Sequence, residues 1–256
     1  MRFRFSSSAA AAVLAAVLAG CGGGAARPAA FPDPGGPLDA TGRALAQSST
    51  SRLDLVSFRG AGGKTVEGYL AFSRRSGRHP AVVFLTGSGG SMTDLASSAV
   101  YFANHGGVGL SIQQPADATT WAPLVENVRR ALDLLASRSD VDPKRLGIAG
   151  LSLGAETAAI VAGVDSRPRV FALMSCRGGP VVLHYLQYAR GDTFYVQDGE
   201  LDEVVPHHQL LLTIHALEAL HAPLRVKWYP TGHVLDDAAY KSQVDWLQSE
   251  LSAGRG

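Results

Sequence analysis

The stretch Gly150-Leu151-Ser152-Leu153-Gly154 constrains the fold more than any other part of the chain. Residues 145–149 before it are mostly apolar, and residues 155–161 after it favour a helix. A serine at a sharp strand-to-helix turn adopts a strained backbone, and the positions two before and two after it must lack bulk so that strand and helix can pack. The two flanking glycines meet that demand. The stretch therefore predicts a strand, a tight turn carrying Ser152, and a helix.

Apolar periodicity predicts strands that alternate with helices along the rest of the chain. Alternation over 53–58 and 66–72 predicts an antiparallel hairpin, whereas continuous apolar runs predict strands that are buried on both faces. These buried and later strands are expected at 81–85, 108–112, 170–174, 193–197 and 224–229, and helices at 95–104, 123–137, 207–220 and 238–251. This order predicts an α/β fold with a mostly parallel central sheet, an N-terminal antiparallel hairpin and helices on both faces.

Residues 1–20 predict an export signal, because a basic start precedes an apolar run over 9–19 that is too short to span a bilayer. Residues 18–21, Leu-Ala-Gly-Cys, resemble the lipobox of bacterial lipoproteins. That resemblance implies cleavage before Cys21 and acylation of its thiol; an ordinary signal peptide is the alternative. Several acyl chains anchor a protein stably, so we expect an exported, membrane-anchored lipoprotein of the cell envelope.

Residues 21–50 are rich in glycine and proline and predict a flexible tether. Regular structure is expected from about Arg52, with one domain over 51–256. The 23 basic and 22 acidic residues nearly cancel, which argues against a nucleic-acid partner. With Cys21 acylated, Cys176 has no partner for a disulfide and is expected to be a small core residue.

From about residue 52 to residue 251 the chain resembles the α/β-hydrolase family, and within it the small hydrolases related to dienelactone hydrolase and the acyl thioesterases. In this family an acid and a histidine follow the serine in chain order. Residues 197–206, QDGELDEVVP, are similar to the family's GxxDxxVP loop, which implies that Asp202 is the acid. His233 stands where the family carries its histidine, after the last predicted strand. The local alternatives to the acid are Asp198, Glu200 and Glu203.

The three residue types fit one chemistry. A serine hydroxyl is a weak nucleophile, so an imidazole must take its proton during attack and return one to the leaving group. A carboxylate at Asp202 would fix the tautomer of His233 without accepting the proton. The resemblance thus implies a triad of Ser152, Asp202 and His233.

A tetrahedral intermediate needs hydrogen-bond donors for its oxyanion. The resemblance implies that one donor is the backbone amide of Leu153. The second donor is implied to lie in residues 86–90, where the family has its HGxGG loop, and by position it is the amide of Ser88. Thr86 stands in place of the family's usual histidine. Gly89 and Trp121 are candidates for lining the substrate pocket, although an aromatic at Trp121 is equally compatible with packing.

These features predict a serine hydrolase for carboxylic esters of small to medium acyl groups, because residues 177–192 leave little room for a large lid. An acyl thioesterase would use the same triad, and a non-catalytic binding protein on this fold is the contrasting class. No HExxH-type spacing occurs, so we expect neither a metal nor a cofactor. The expected partners are a small acyl ester or thioester and the membrane.

Overall fold

The computed structural model describes residues 27–28, 31 and 35–253; the predicted signal at 1–20 and Cys21 lie outside the described residues. The strands of its sheet are β1 (Thr41–Gln47), β2 (Ser51–Arg59), β3 (Thr65–Ser73), β4 (His79–Leu85), β5 (Val108–Ile112), β6 (Val141–Leu151), β7 (Pro168–Met174), β8 (Thr193–Gly199) and β9 (Leu224–Tyr229). Its α-helices are α1 (Ala96–Asn104), α2 (Trp121–Ala136), α3 (Leu153–Val164), α4 (Pro180–Leu186), α5 (His207–Ala219) and α6 (Asp237–Ala253).

The strands form one sheet in the order β1-β2-β3-β5-β4-β6-β7-β8-β9. Strands β1, β2 and β3 pair antiparallel, as do β3 and β5. From β5 through β9 every neighbouring pair is parallel. The expected mostly parallel sheet with an antiparallel hairpin at its start is therefore confirmed.

Helices cover both faces of the sheet, which explains why β4 and β5 are apolar at nearly every position and buried throughout. Helices α1 and α6 pack on one face, and helices α2 to α5 pack on the other. Since all the parallel strands end at the same edge, the loops after β4, β6, β7, β8 and β9 meet there. Within the described residues, none of the helices combines the length and apolar character needed to cross a membrane.

Regular structure begins earlier than the expected Arg52, because β1 starts at Thr41 and pairs with β2. Every residue of β1 is exposed, so backbone hydrogen bonds hold this edge strand and no apolar alternation marks it in the sequence. Two earlier residues of the predicted tether also contact the domain. Arg27 pairs with the buried carboxylate of Asp192 at 2.9 Å, and Phe31 packs on the Tyr185 ring.

Helix α2 begins at Trp121, two residues before the predicted start at Pro123. Proline fits the first turn of a helix, where its missing N–H is not needed. The helix therefore extends two residues further toward the N-terminus, and Trp121 packs, partly buried, against the main core.

Candidate active site

Ser152 lies at the tight turn between strand β6 and helix α3. Its backbone has φ 53° and ψ −119°, a conformation that side-chain-bearing residues rarely adopt and that costs of order 1–3 kcal/mol. The Ser152 amide donates to the Met174 carbonyl at the end of β7, at 2.8 Å. The sequence pattern predicts the strained turn, and the structure shows that the neighbouring strand holds it.

The two glycines that flank the serine are required by close backbone contacts. A methyl group placed at Gly150 would lie 2.3 Å from the backbone carbon of Gly154. One placed at Gly154 would lie 2.3 Å from the carbonyl oxygen of Leu85, the last residue of β4. Both distances are too short for a side chain, so this turn accepts only glycine at these positions.

Gly154→Ala is expected to lower the free energy of unfolding by about 3 kcal/mol or more, because the obstructing atoms belong to backbone that cannot move aside. Gly42→Ala on the exposed strand β1 is the matched control, since a methyl group there would meet its nearest atom at 3.5 Å. Urea unfolding of both variants measures the difference. Equal stability of the two variants would contradict the close packing of the turn.

The loop after β4 lies directly beside the serine. A methyl group placed at Gly87 would be 3.3 Å from the Cβ atom of Ser152. The Gly90 amide donates to the Gly87 carbonyl at 3.1 Å, and Gly89 has a φ of 74°. Ser88 lies inside this tight turn, next to the glycine that lies close to the serine.

His233 and Asp202 are joined by a hydrogen bond. The imidazole Nδ1 of His233 donates to Asp202 Oδ2 at 2.8 Å. The other carboxylate oxygen, Oδ1, accepts the backbone amides of Val204 at 2.8 Å and Val205 at 2.9 Å. The side chain of Asp202 is fully buried, whereas His233 is partly exposed. With Nδ1 occupied, Nε2 of His233 is the ring nitrogen left to accept a proton.

Burial by itself raises the pKa of Asp202, but hydrogen bonds from the Val205 amide, His233 and the Val204 amide outweigh it. Together these donors hold the pKa of Asp202 below its usual range. The carboxylate is therefore ionised at neutral pH, which is the state that orients an imidazole and stabilises an imidazolium.

The other three acids in this loop differ from Asp202. Glu200 and Glu203 are exposed. Asp198, near the end of β8, is buried, and neither of its carboxylate oxygens makes a hydrogen bond within the described part of the chain. Burial raises the pKa of Asp198 to about 6; the nearby Ser175 hydroxyl opposes this rise, and the facing carboxyl of Asp202 reinforces it. Of the four acids, Asp202 is the one that hydrogen-bonds His233.

Ser175 is a site residue to which the sequence analysis assigned no role. Its hydroxyl donates to the His233 carbonyl at 3.0 Å, and its amide donates to the Gln197 carbonyl at 2.8 Å. It has a φ of 49° and is fully buried. Because Ser175 follows Met174, the end of β7 holds both the Ser152 turn and the histidine loop. A polar residue directly after a buried strand was the available sequence signal.

The surroundings of Cys176 limit its role. Cys176 is a free, fully buried thiol; burial, reinforced by the charge of Glu156, raises its pKa well above the usual value. A neutral buried thiol is a poor nucleophile. The described residues bring no three His, Cys, Asp or Glu side chains together in an arrangement that could hold a metal ion.

The chain is similar in sequence to a known protein family. The sequence model of the dienelactone hydrolase family matches residues 66–243. None of the curated proteins matches the chain.

Solved structures with the same fold include several esterases. An acetyl xylan esterase from Paenibacillus sp. R4 is 18% identical with a TM-score of 0.65, over 84% of this chain and 89% of that one. A cold-adapted esterase from an Arctic intertidal metagenomic library is 16% identical with a TM-score of 0.70, over 83% and 99%. A thermostable carboxylesterase from a metagenomic library is 17% identical with a TM-score of 0.67, over 82% and 92%.

Proposed function

Because the chain belongs to the dienelactone hydrolase family, we propose that it is a serine hydrolase that cleaves carboxylic esters of small to medium acyl groups. The observation that carries the proposal is the strained serine turn at Ser152, fixed to the end of β7, which also fixes the loop of His233. Strain of this kind persists only where the surroundings impose it, and it concentrates at sites of chemistry.

In the proposed reaction the Ser152 hydroxyl attacks the ester carbonyl while His233 Nε2 takes its proton. The imidazolium, stabilised by ionised Asp202, then protonates the departing alcohol and leaves an acyl group on the serine. Water enters, His233 removes its proton, and the acid is released with the serine regenerated. No metal or cofactor takes part in this proposal.

The oxyanion of each tetrahedral intermediate would accept hydrogen bonds from the backbone amides of Leu153 and Ser88. Leu153 is the first residue of α3, and amides in the first turn of a helix have no partner within the helix. A methyl group at Gly87 would be 3.3 Å from the Cβ atom of Ser152. The loop therefore lies beside the nucleophile, which supports Ser88 as the second donor.

The substrate class rests on two observations. The segment between β7 and β8 contains only the seven-residue helix α4, so it supplies no large cap over the site. The similar solved structures are described as an acetyl xylan esterase, an esterase and a carboxylesterase. Both favour small to medium acyl esters. Gly89 and Trp121 both remain candidates for the pocket, and Trp121, which is partly buried, also packs against the core.

We also propose that the protein is exported and anchored in the cell envelope through a lipid on Cys21. The support is the sequence of residues 1–21, with its basic start, short apolar run and lipobox-like end. Stable anchoring requires at least two acyl chains, and these would hold the domain at a membrane surface.

Labelling with a fluorophosphonate probe tests the catalytic proposal. We expect the probe to modify Ser152 stoichiometrically, as identified by peptide mass spectrometry, and to abolish hydrolysis of p-nitrophenyl acetate and butyrate. Acyl thioesters with the same acyl chains, assayed alongside, separate the two chemistries. Failure of labelling would support a non-catalytic binding protein, and thioester turnover more than about 100-fold above ester turnover would make the protein a thioesterase.

A further inference from the structure

Exposed apolar side chains concentrate beside the candidate catalytic pair. Among the described large apolar residues, the three most exposed are Leu201 at 69%, Val234 at 65% and Val204 at 57%. Leu201 directly precedes Asp202, Val204 lies two residues after it, and Val234 directly follows His233. We call these three residues the apolar rim.

The apolar rim is fixed to the catalytic pair by backbone hydrogen bonds. The Leu201 amide donates to the Thr231 carbonyl at 2.9 Å, which joins the acid loop to the histidine loop. The Val204 amide donates to the carboxylate of Asp202, which holds His233. The backbone that carries Leu201 and Val204 is therefore tied to the loops of the catalytic pair.

The chemistry of ester cleavage determines which part of a substrate would lie there. The departing alcohol takes its proton from the histidine, so its oxygen must come within hydrogen-bonding distance of His233 Nε2. The carbonyl oxygen points instead toward the turn at Ser152 and the loop 86–90. The leaving group therefore lies on the His233 side of the site, the side of the two loops that carry the apolar rim.

We infer that Leu201, Val204 and Val234 bind the leaving group of the substrate, and that this group is an apolar alcohol of several carbons. The inference rests on the proposed ester hydrolysis and adds a substrate class to it. An apolar alcohol would cover side chains that otherwise face water, whereas a polyhydroxylated alcohol would place hydroxyl groups against them without hydrogen-bond partners. Each contacting methylene is expected to raise kcat/KM about twofold to fourfold.

Acetates of straight-chain alcohols from propanol to heptanol test the inference, because the acidity of the leaving group is nearly constant along this series. The wild type is expected to show a heptyl-to-propyl ratio of kcat/KM of about 10 or more. Leu201→Ser and Val234→Ser are expected to lower this ratio at least about fivefold. Since the ratio is taken within one variant, a change in the folded fraction cancels.

Leu45→Ser is the matched control, because Leu45 is an exposed leucine on β1, at the far edge of the sheet; it should keep the wild-type ratio. A wild type that hydrolyses every acetate at the same kcat/KM would overturn the inference and leave the proposed function intact. The inference would also be overturned if the rim variants changed only how kcat/KM depends on acyl length, as measured with methyl esters of longer acids. A wild type that hydrolyses none of the esters would overturn both.

Discussion

Replacing Ser152 with alanine is expected to lower kcat for p-nitrophenyl acetate by about 10⁴-fold to 10⁶-fold, because the attacking oxygen is lost while the rest of the site remains. The fold should survive this change. The Ser152 amide, which donates to the Met174 carbonyl at 2.8 Å, is unaffected by the substitution. Alanine at φ 53° is strained to about the same degree as serine, so the unfolding midpoint should shift little.

Ser166→Ala is the matched control, since Ser166 is exposed just beyond the end of α3. Its kcat should equal that of the wild type. The rates of both variants must be measured on protein purified apart from host esterases, because a trace of contaminant sets a floor on the apparent loss. A Ser152→Ala enzyme that retains more than about 1% of wild-type kcat would show that another group performs the attack.

The elements that position the site follow from local sequence. Strand β5 has the bounds that its continuous apolar run predicts, and strand β9 also has its predicted bounds. The Ser152 turn is equally local, because its glycine spacing and its flanking strand and helix lie within about 20 residues. Such elements can be predicted because burial and backbone geometry determine which residue types occur at neighbouring positions.

Features that depend on distant contacts could not be predicted in this way. Strand β1 carries no apolar alternation because both of its faces are exposed. The bond from Ser175 to His233 joins residues 58 positions apart. The family resemblance favoured Asp202, and its hydrogen bond with His233 distinguishes it in the structure from Asp198. Pairing across a sheet brings such groups together without leaving a periodic signal.

Asp202→Asn is expected to lower kcat by about 10³-fold to 10⁴-fold at pH 7, with the fold retained. One carboxylate oxygen accepts the amides of Val204 and Val205, and the other accepts Nδ1 of His233. An asparagine must turn its oxygen toward the two backbone amides, because its NH₂ group cannot accept a hydrogen bond. The NH₂ group then faces His233 and donates to Nδ1. The ring proton is displaced to Nε2, which can no longer take the proton of Ser152.

Asp198→Asn is the matched control, the same substitution four residues earlier at a buried position that makes no hydrogen bond to His233 among the described contacts. Its kcat should stay within about threefold of the wild-type value.

The stability of the wild type and of Asp198→Asn should depend on pH in different ways. Burial raises the pKa of Asp198 to about 6, above its value of 3.8 in the unfolded chain. The contribution of Asp198 to the stability of the folded protein therefore falls as pH rises from about 4 through 6.

Asparagine removes this loss, so Asp198→Asn should be more stable than the wild type at pH 8, by about 1–3 kcal/mol, and equally stable at pH 3.5. Urea unfolding at the two pH values measures this. Asp202→Asn should show the opposite sign, because the lowered pKa of Asp202 stabilises the folded state above the unfolded pKa. The two neighbouring carboxylates can therefore be distinguished by the opposite effects of their substitution on stability. If Asp198→Asn abolished turnover and Asp202→Asn did not, the acid that orients His233 would be Asp198.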